Sequence, residues 1–256
     1  MPDAETRLRV RPDGTGLDEE GVKFVLAGYD ESAVEQALLL KEAKVATGVR
    51  VVTAGPSPRS EEVLRYAIAL GCDHATWIEV PADPRPDAVA TARILAEGLK
   101  RYPHDLVLVG KHASDREAGL VGPALGEFLG LTDYAGVVDL RWDAGRSLFA
   151  FLESVEGGAL RVEAPAPLLV SLQQAWNDPR TAKLPNILKS RKAPIERIPW
   201  TEVGPAVQER LARSAQRTAF RLPPPRTGAK LLEFKTPDEA AEKLVRLLKE
   251  EAKVFP

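Results

Sequence analysis

Residues 105–129, DLVLVGKHASDREAGLVGPALGEFL, decide the fold. Residues 105–109 carry the uninterrupted apolar run of a buried strand, and residues 121–129 have apolar side chains at helical spacing. The connecting segment, 110–122, is rich in glycine and polar residues, which is typical of a loop. The stretch therefore predicts a strand, a loop and a helix in succession, which is the repeating unit of a parallel sheet.

The same alternation runs through the first half of the chain. Residues 49–53 and 74–80 are predicted strands, a helix is predicted to start with Ser60 as its N-cap, and another is predicted to follow from Asp87. Residues 32–35, SAVE, have the spacing of a capping box for an earlier helix. This alternation predicts an α/β fold, with a parallel sheet and helices on both of its faces.

Shorter strands follow in the second half. Residues 137–142, 147–155 and 159–163 have strand-like patterns, and the glycine pair at 157–158 predicts a tight turn between the last two. These strands predict a small antiparallel addition, after which residues 168–171 return to the main sheet.

Residues 176–192, WNDPRTAKLPNILKSRK, fit neither a good helix nor a good strand. Pro179 and Pro185 remove backbone donors and interrupt regular structure. An apolar cluster occupies residues 184–188, and basic residues surround it. Because exposed apolar groups favour association, the segment either packs on its own domain or docks on another protein.

The chain divides into two predicted parts. Residues 1–185 form the α/β domain and include the start of the irregular segment. Residues 186–256 form the rest of that segment and an extended arm, whose final helix is predicted to begin at Thr236. An arm without a core of its own does not offset the entropy lost on ordering, so we expect it to pack on a partner.

Composition excludes several classes of protein. The formal net charge of −2 over 256 residues gives no general attraction for nucleic acid. The single cysteine, Cys72, cannot form an intrachain disulfide and agrees with a cytoplasmic location. No apolar run approaches the roughly 20 residues of a membrane-spanning helix, so we expect no direct insertion into a membrane.

The sequence predicts no catalytic group and no metal site. The three histidines are not at metal-ligand spacings, and neither a catalytic-serine motif nor a dinucleotide-binding glycine motif occurs. What remains is the loop at 110–122, which follows a predicted parallel strand, as residues 53–55 also do. Open α/β sheets bind ligands at this edge, where helix N-termini favour phosphate. The loop is either a nucleotide site or an ordinary strand-to-helix turn.

Five stretches resemble the beta subunit of electron transfer flavoprotein, in the family's order and over nearly the whole chain. They are AGYDESAVEQALLLKE (27–42), VTAGP (52–56), GKHASDREAGLVG (110–122), EGGALRVEAPAPLLVS (156–171) and NDPRTAKLPNILKSRK (177–192). The LPNI element followed by basic residues is distinctive. The resemblance implies a parallel-sheet adenine-nucleotide-binding fold, in which residues 1–185 form the nucleotide-binding domain.

The resemblance also implies a heterodimer with an electron transfer flavoprotein alpha subunit. Such a heterodimer carries electrons from acyl-CoA and related flavin dehydrogenases, as in fatty acid oxidation, to a membrane quinone oxidoreductase. It is an electron carrier without substrate chemistry of its own. FAD lies mainly in the alpha subunit, shared with the beta subunit as one wall, and the beta subunit holds a structural AMP.

Three alternatives stay open. An electron-bifurcating variant would hold a second FAD in this subunit. A stand-alone nucleotide-binding protein of the universal-stress type would share the sheet but lack the long arm and the LPNI element. An adenylating enzyme would need a phosphate-binding serine-glycine loop after the first strand, and the sequence shows none.

Functional residues follow from the resemblance at matching positions, and none of them is catalytic. Leu184 is the expected anchor on partner dehydrogenases, and Tyr29 is expected to face the flavin. The expected partner-binding residues are Lys183, Leu184, Pro185, Asn186, Ile187 and Lys189. The expected cofactor-binding residues are Ala27, Gly28, Tyr29, Asp30, Ala54, Gly110, Lys111, His112, Ala113, Ser114, Asp115, Arg116, Gly119, Leu120, Val121 and Gly122.

Two departures from the family pattern matter. Residues 119–121 (GLV) replace an Asn-Gln-Thr triplet, and residues 27–28 (AG) replace Asn-Pro, so side-chain donors for a phosphate are lost while backbone amides remain. Met1 aligns with the turn that follows the family's first inner strand. The strand itself, about a dozen residues, has no counterpart in this sequence. We therefore expect the natural start of the chain to lie upstream of Met1.

Overall fold

The structure is a computed structural model that describes residues 1–56, 59–173, 178–212, 214–215, 219–224, 228 and 231–254. It divides into two units, Met1–Phe220 and Arg221–Pro256. Residues 186–220 thus lie in the first unit, whereas the sequence predicted an arm from residue 186 onward. Trp176 and Asn177, at the start of the predicted irregular segment, lie outside the described residues.

Most of the regular structure belongs to the first unit. Its helices are α1 (Gly28–Glu42), α2 (Arg59–Leu70), α3 (Ala88–Leu99), α4 (Val121–Leu129), α5 (Leu184–Ser190) and α6 (Pro205–Ala212). Its strands are β1 (Arg9–Val10), β2 (Leu17–Asp18), β3 (Arg50–Gly55), β4 (His74–Glu79), β5 (Leu106–Gly110), β6 (Thr132–Asp143), β7 (Leu148–Val155), β8 (Gly158–Ala164), β9 (Leu168–Leu172) and β10 (Glu196–Ile198). The second unit contains α7 (Pro237–Glu250).

Parallel strands form two ladders. In the first, β4 lies between β3 and β10, and both pairs are parallel. In the second, β9 lies between β5 and β6 in parallel, and β7 and β8 extend the sheet antiparallel. The predicted return of residues 168–171 to the main sheet is confirmed, and so is the α/β class with an antiparallel addition.

Two helices each pack on both ladders. On one face, the apolar cluster around Leu38 of α1 includes Val51 of β3, and the cluster around Leu40 of α1 includes Val170 of β9. On the other face, α3 packs in the same manner, because its clusters include a directly adjacent residue of each strand, Val52 and Leu169. Successive side chains of a strand point to opposite faces, so α1 and α3 cover the two sides of one layer.

No ladder joins β3 to β5 in the described part of the chain, and each is the end strand of its ladder. Every residue of β9 is buried, whereas Val51 to Ala54 of β3 are only half-buried. Leu106 and Val109 of β5 are half-buried as well. These two end strands are therefore less buried than β9, which lies inside its ladder.

Helix starts were predicted with mixed success. The helix predicted to follow from Asp87 is α3, and the Asp87 carboxylate caps it by accepting a hydrogen bond from the amide of Ala90 at 2.8 Å. The capping box at residues 32–35 is wrong, because α1 already begins at Gly28 and the Ser32 hydroxyl donates inside the helix to the Gly28 carbonyl. Ser60 is not the N-cap of α2, which begins one residue earlier.

The segment predicted to be irregular contains a helix. Residues 184–190 form α5, and Pro185 lies in its first turn, where a missing amide proton costs no helical hydrogen bond. The following residues return to the first ladder as β10, which pairs with Thr76–Ile78 of β4. Next, α6 packs on α3, and Val207 and Ile94 share an apolar cluster.

The second unit confirms the final helix of the sequence. The Thr236 hydroxyl accepts a hydrogen bond from the Glu239 amide at 3.3 Å, and the Glu239 carboxylate accepts one from the Lys235 amide at 3.0 Å. Leu244, on the predicted apolar face of α7, is 50% exposed. Among the described residues, no helix combines the length and the apolar character needed to cross a lipid bilayer.

Candidate functional site

The first turn of α1 rests directly on the end of β5. A Cβ atom at Gly110 would lie 2.8 Å from the backbone nitrogen of Asp30 and 2.8 Å from the carbonyl carbon of Tyr29. Only glycine permits this approach without displacement of the backbone. The contact is fastened by the Gly110 amide, which donates to the Asp30 carboxylate at 3.0 Å.

The residues after Gly110 continue along the same edge. The Lys111 amide donates to the Leu172 carbonyl at 2.8 Å, and its ammonium group donates to the Gln173 side chain at 3.2 Å. The ring of His112 packs edge-on against Tyr29, with centroids 4.5 Å apart. The start of the loop is thus held between α1 on one side and the end of β9 on the other.

The second half of the loop is a turn that leads into α4. The amides of Arg116 and Glu117 donate to the Ala113 carbonyl at 3.0 and 2.8 Å. Gly119 has a φ of 61°, in the left-handed region, and no heavy atom lies within 4 Å of the position of its absent Cβ. Gly122 packs against the Ser171 hydroxyl so closely that a Cβ would collide with it. This contact seats α4 on β9.

Two helices begin at this edge without a side-chain cap. Within the described residues, neither Ala27 before α1 nor Leu120 before α4 makes a side-chain hydrogen bond to the helix that follows. The first amides of an uncapped helix, with the positive end of its dipole, are suited to an anion such as phosphate. The backbone therefore fits a nucleotide phosphate, although the side-chain donors of the family pattern are missing here.

Charges of both signs surround the edge. Burial raises the pKa of the Asp30 carboxyl, although the Gly110 amide acts against this. Lys111, Asp115 and Arg116 are charged residues of the loop that continues from this edge. Because acidic groups are present, an anion here would rely on backbone amides rather than on a cluster of basic side chains.

The structure brings most of the predicted cofactor-binding residues together. Residues 27–30 and 110–112 are in contact, and residues 113–122 continue from them. Ala54 is in the other ladder, opposite Ile78, and packs in that ladder's apolar cluster. The contact between Gln173 and Lys111 was not predicted, because no local pattern shows that the end of β9 lies beside Lys111.

The apolar group of the LPNI segment faces outward. Leu184 is 68% exposed and Leu188, one turn later on the same face of α5, is 52% exposed. Ile187 is half-buried, and only Ser190 of this helix is buried. The alternative that the cluster packs on its own domain is therefore wrong for these two leucines.

Basic side chains border this apolar face. Lys183, Lys189, Arg191 and Lys192 are all exposed. The sequence from residue 181 to residue 195 contains no acidic residue. The surface around α5, hereafter the α5 surface, is therefore apolar at its centre and positive at its rim.

Two of the three histidines make contacts within the chain. His112 packs on Tyr29, and His104 lies beside the Tyr102 carbonyl at 2.9 Å. No group of three or more potential ligand side chains that could hold a metal ion occurs among the described residues.

The fold and this edge define a protein of the open parallel α/β class, whose ligands bind at the carboxyl ends of the strands. A family model described as "Electron transfer flavoprotein domain" matches residues 15–203. The electron transfer flavoprotein subunit beta of Bacillus subtilis (strain 168) is 35% identical over 241 residues, which cover 93% of this chain and 91% of the relative. That of Homo sapiens is 33% identical over 253 residues, which cover 97% and 93%.

The chain belongs to the family of electron transfer flavoprotein beta subunits. The resemblance noted in the sequence is thereby confirmed. The family assigns the chain to electron transfer within a flavoprotein.

Gly110→Ala tests the contact between β5 and α1. We expect the added methyl group to force α1 away from the strand and to lower the free energy of unfolding by about 1–3 kcal/mol. Gly28→Ala is the matched control, since no heavy atom lies within 4 Å of its Cβ position, and its effect should stay within about 0.5 kcal/mol. Urea denaturation of both purified variants measures the difference. Equal stabilities would contradict the contact.

Proposed function

We propose that this chain is the beta subunit of a heterodimeric electron transfer flavoprotein. Paired with an alpha subunit, it would carry electrons from flavin dehydrogenases, such as acyl-CoA dehydrogenases, to a membrane quinone oxidoreductase. In this role it carries out no chemistry on a substrate of its own. Its location would be cytoplasmic, which the buried thiol of Cys72 supports.

The α5 surface is the observation that carries this proposal. The apolar side chains of Leu184 and Leu188 are exposed to solvent on a short helix that is attached to the first unit. Exposed apolar side chains do not stabilise the protein unless a partner covers them. A partner with an apolar pocket and an acidic border would complement the surface. The proposed contact residues are Lys183, Leu184, Pro185, Asn186, Ile187 and Lys189.

Docking of this kind suits an electron carrier. Electron transfer between flavins falls steeply with distance, so a carrier needs a contact that brings the two flavins close. A compact apolar anchor supplies affinity, and the positive rim accelerates encounter with an acidic partner. Both contributions can be reused with several dehydrogenases.

For the cofactors, we propose an AMP in this subunit and an FAD held mainly by the alpha subunit. The uncapped starts of α1 and α4 support a phosphate site at residues 27–30 and 110–122, with Tyr29 on the side of the flavin. Ala54 would contact the nucleotide from the end of β3. Bound AMP would supply structural support and no chemistry.

Nucleotide extraction tests the cofactor proposal. The heterodimer is purified, denatured by heat, and its released nucleotides are separated and quantified by chromatography. We expect one FAD and one AMP per heterodimer, because the phosphate site offers backbone amides. Two FAD molecules and no AMP would contradict the proposal and would favour the electron-bifurcating alternative.

Leu184→Ala tests the docking role. We expect the apparent KM of an acyl-CoA dehydrogenase for the heterodimer to rise roughly 30-fold, because a buried apolar anchor contributes about 2 kcal/mol. The FAD content should stay unchanged, since α5 packs on α2, which contributes no residue to the proposed nucleotide loops. Steady-state reduction kinetics measure the first quantity and absorbance at the flavin band the second.

Leu8→Ala is the control for that experiment. Leu8 is also exposed, at 40%, and its truncation removes the same group from a different part of the first unit. Its KM should equal that of the unmodified heterodimer. Equal KM values for all three proteins would count against the docking role.

A further inference from the structure

The segment that leads into α5 is fastened to α1 by Arg180. The Nε and one terminal nitrogen of its guanidinium donate to the two carboxylate oxygens of Glu35 at 2.8 and 3.0 Å. The other terminal nitrogen donates to Glu42 at 2.6 Å. The Arg180 amide also donates to Glu35, at 3.0 Å, so main chain and side chain are both fixed to α1.

The Glu35 carboxylate is buried and is positioned to bind this arginine through both of its oxygens. Its side chain is only 9% exposed, whereas the side chain of Glu42 is 57% exposed. A buried carboxylate is costly unless its lone pairs are satisfied, and here the planar guanidinium satisfies both oxygens at once. The exposed pair with Glu42 contributes less, because water screens it.

A second arginine fastens the other end of α5. The Arg65 guanidinium of α2 donates to the Ser190 carbonyl at 2.9 Å and to the Ala193 carbonyl at 3.3 Å. Glu61 holds this guanidinium in place at 2.6 Å. The last carbonyls of a helix lack partners within the helix, so the arginine completes the C-terminus of α5.

A helix of this length needs such attachments. Residues 184–190 make two turns, and isolated helices of that length are not stable in water. The exposed Leu184 and Leu188 add no packing on the first unit that would hold the helix. Arg180, which precedes the helix, and Arg65, which binds its C-terminus, make polar contacts that fix it to α1 and α2.

We infer that Arg180 and Arg65 are positioning residues, which hold the α5 surface in its docking geometry before a partner arrives. The inference rests on the proposed docking function. A surface that is ordered in advance loses less conformational entropy on binding, so its affinity is higher than that of a mobile segment with the same side chains. Neither arginine needs to touch the partner.

The experiment uses the assembled heterodimer with Arg180→Gln, Arg180→Lys or Arg65→Gln. Each variant is compared by KM and kcat with an acyl-CoA dehydrogenase, FAD content, Tm, and hydrogen exchange of the α5 amides. Arg65→Gln does not leave the Glu35 carboxylate unpaired, so it keeps the test valid if Arg180→Gln fails to fold. Arg146→Gln is the control, because Arg146 makes a similar bidentate pair with Glu163 at 2.7 and 2.6 Å in an exposed hairpin.

We expect Arg180→Gln and Arg65→Gln to raise KM about 10-fold or more, with kcat and FAD content unchanged. The amides of Asn186 and Ile187 should exchange faster in both variants, because α5 then opens independently of the first unit. Lysine should restore little at position 180, because an ammonium group cannot bind both carboxylate oxygens in the same plane. Arg146→Gln should match the unmodified protein.

The outcomes separate this inference from the function on which it rests. If Leu184→Ala raises KM while Arg180→Gln and Arg65→Gln do not, docking stands and the positioning role is overturned. A lower Tm without faster exchange in α5 would also overturn it, because the arginines would then only stabilise the fold. If Leu184→Ala has no effect, the docking function itself is wrong.

Discussion

The contact between Gly110 and the first turn of α1 is the constraint on which the rest of this structure depends. Because position 110 lacks a Cβ, the backbone of α1 can approach the end of β5 directly, and the Gly110 amide then binds Asp30. This contact sets the position of α1 along the sheet. The same helix covers one face of both ladders and carries Glu35, which receives Arg180. The proposed nucleotide site at residues 27–30 and 110–122 and the attachment of α5 therefore both depend on the position of α1.

The two candidate functional regions differ in physical character. The nucleotide edge is built from backbone, since its two helix starts have no side-chain caps and its loop turns through Gly119. Substitutions of side chains there can leave the amides in place, so the loss of the family's side-chain donors is compatible with the proposed phosphate site. The α5 surface is built from side chains, and its apolar centre and positive rim depend on the residues themselves.

Sequence patterns predicted the elements that depend on local periodicity. The strand at residues 105–109, the helix at 121–129, the helix that follows Asp87 and the cap at Thr236 are all found, because each rests on neighbouring residues. Long-range contacts explain the rest. Glu35 fits a capping box locally, yet it pairs with an arginine 145 residues away. The prolines that argued against helix in the LPNI segment are compatible with α5, because Pro185 falls in its first turn. The three residues of β10 include two charged side chains, so their sequence has no strand pattern. They form a strand because they pair with β4.

The central claim is that this chain works as one half of an electron-carrying heterodimer, and co-expression with a candidate alpha subunit tests it most directly. The account predicts that the two chains purify together as a yellow complex, whose flavin absorbance and subunit ratio can be measured in one gel-filtration run. A soluble, monomeric chain that elutes without the alpha subunit and without flavin would contradict its role in an electron-carrying heterodimer.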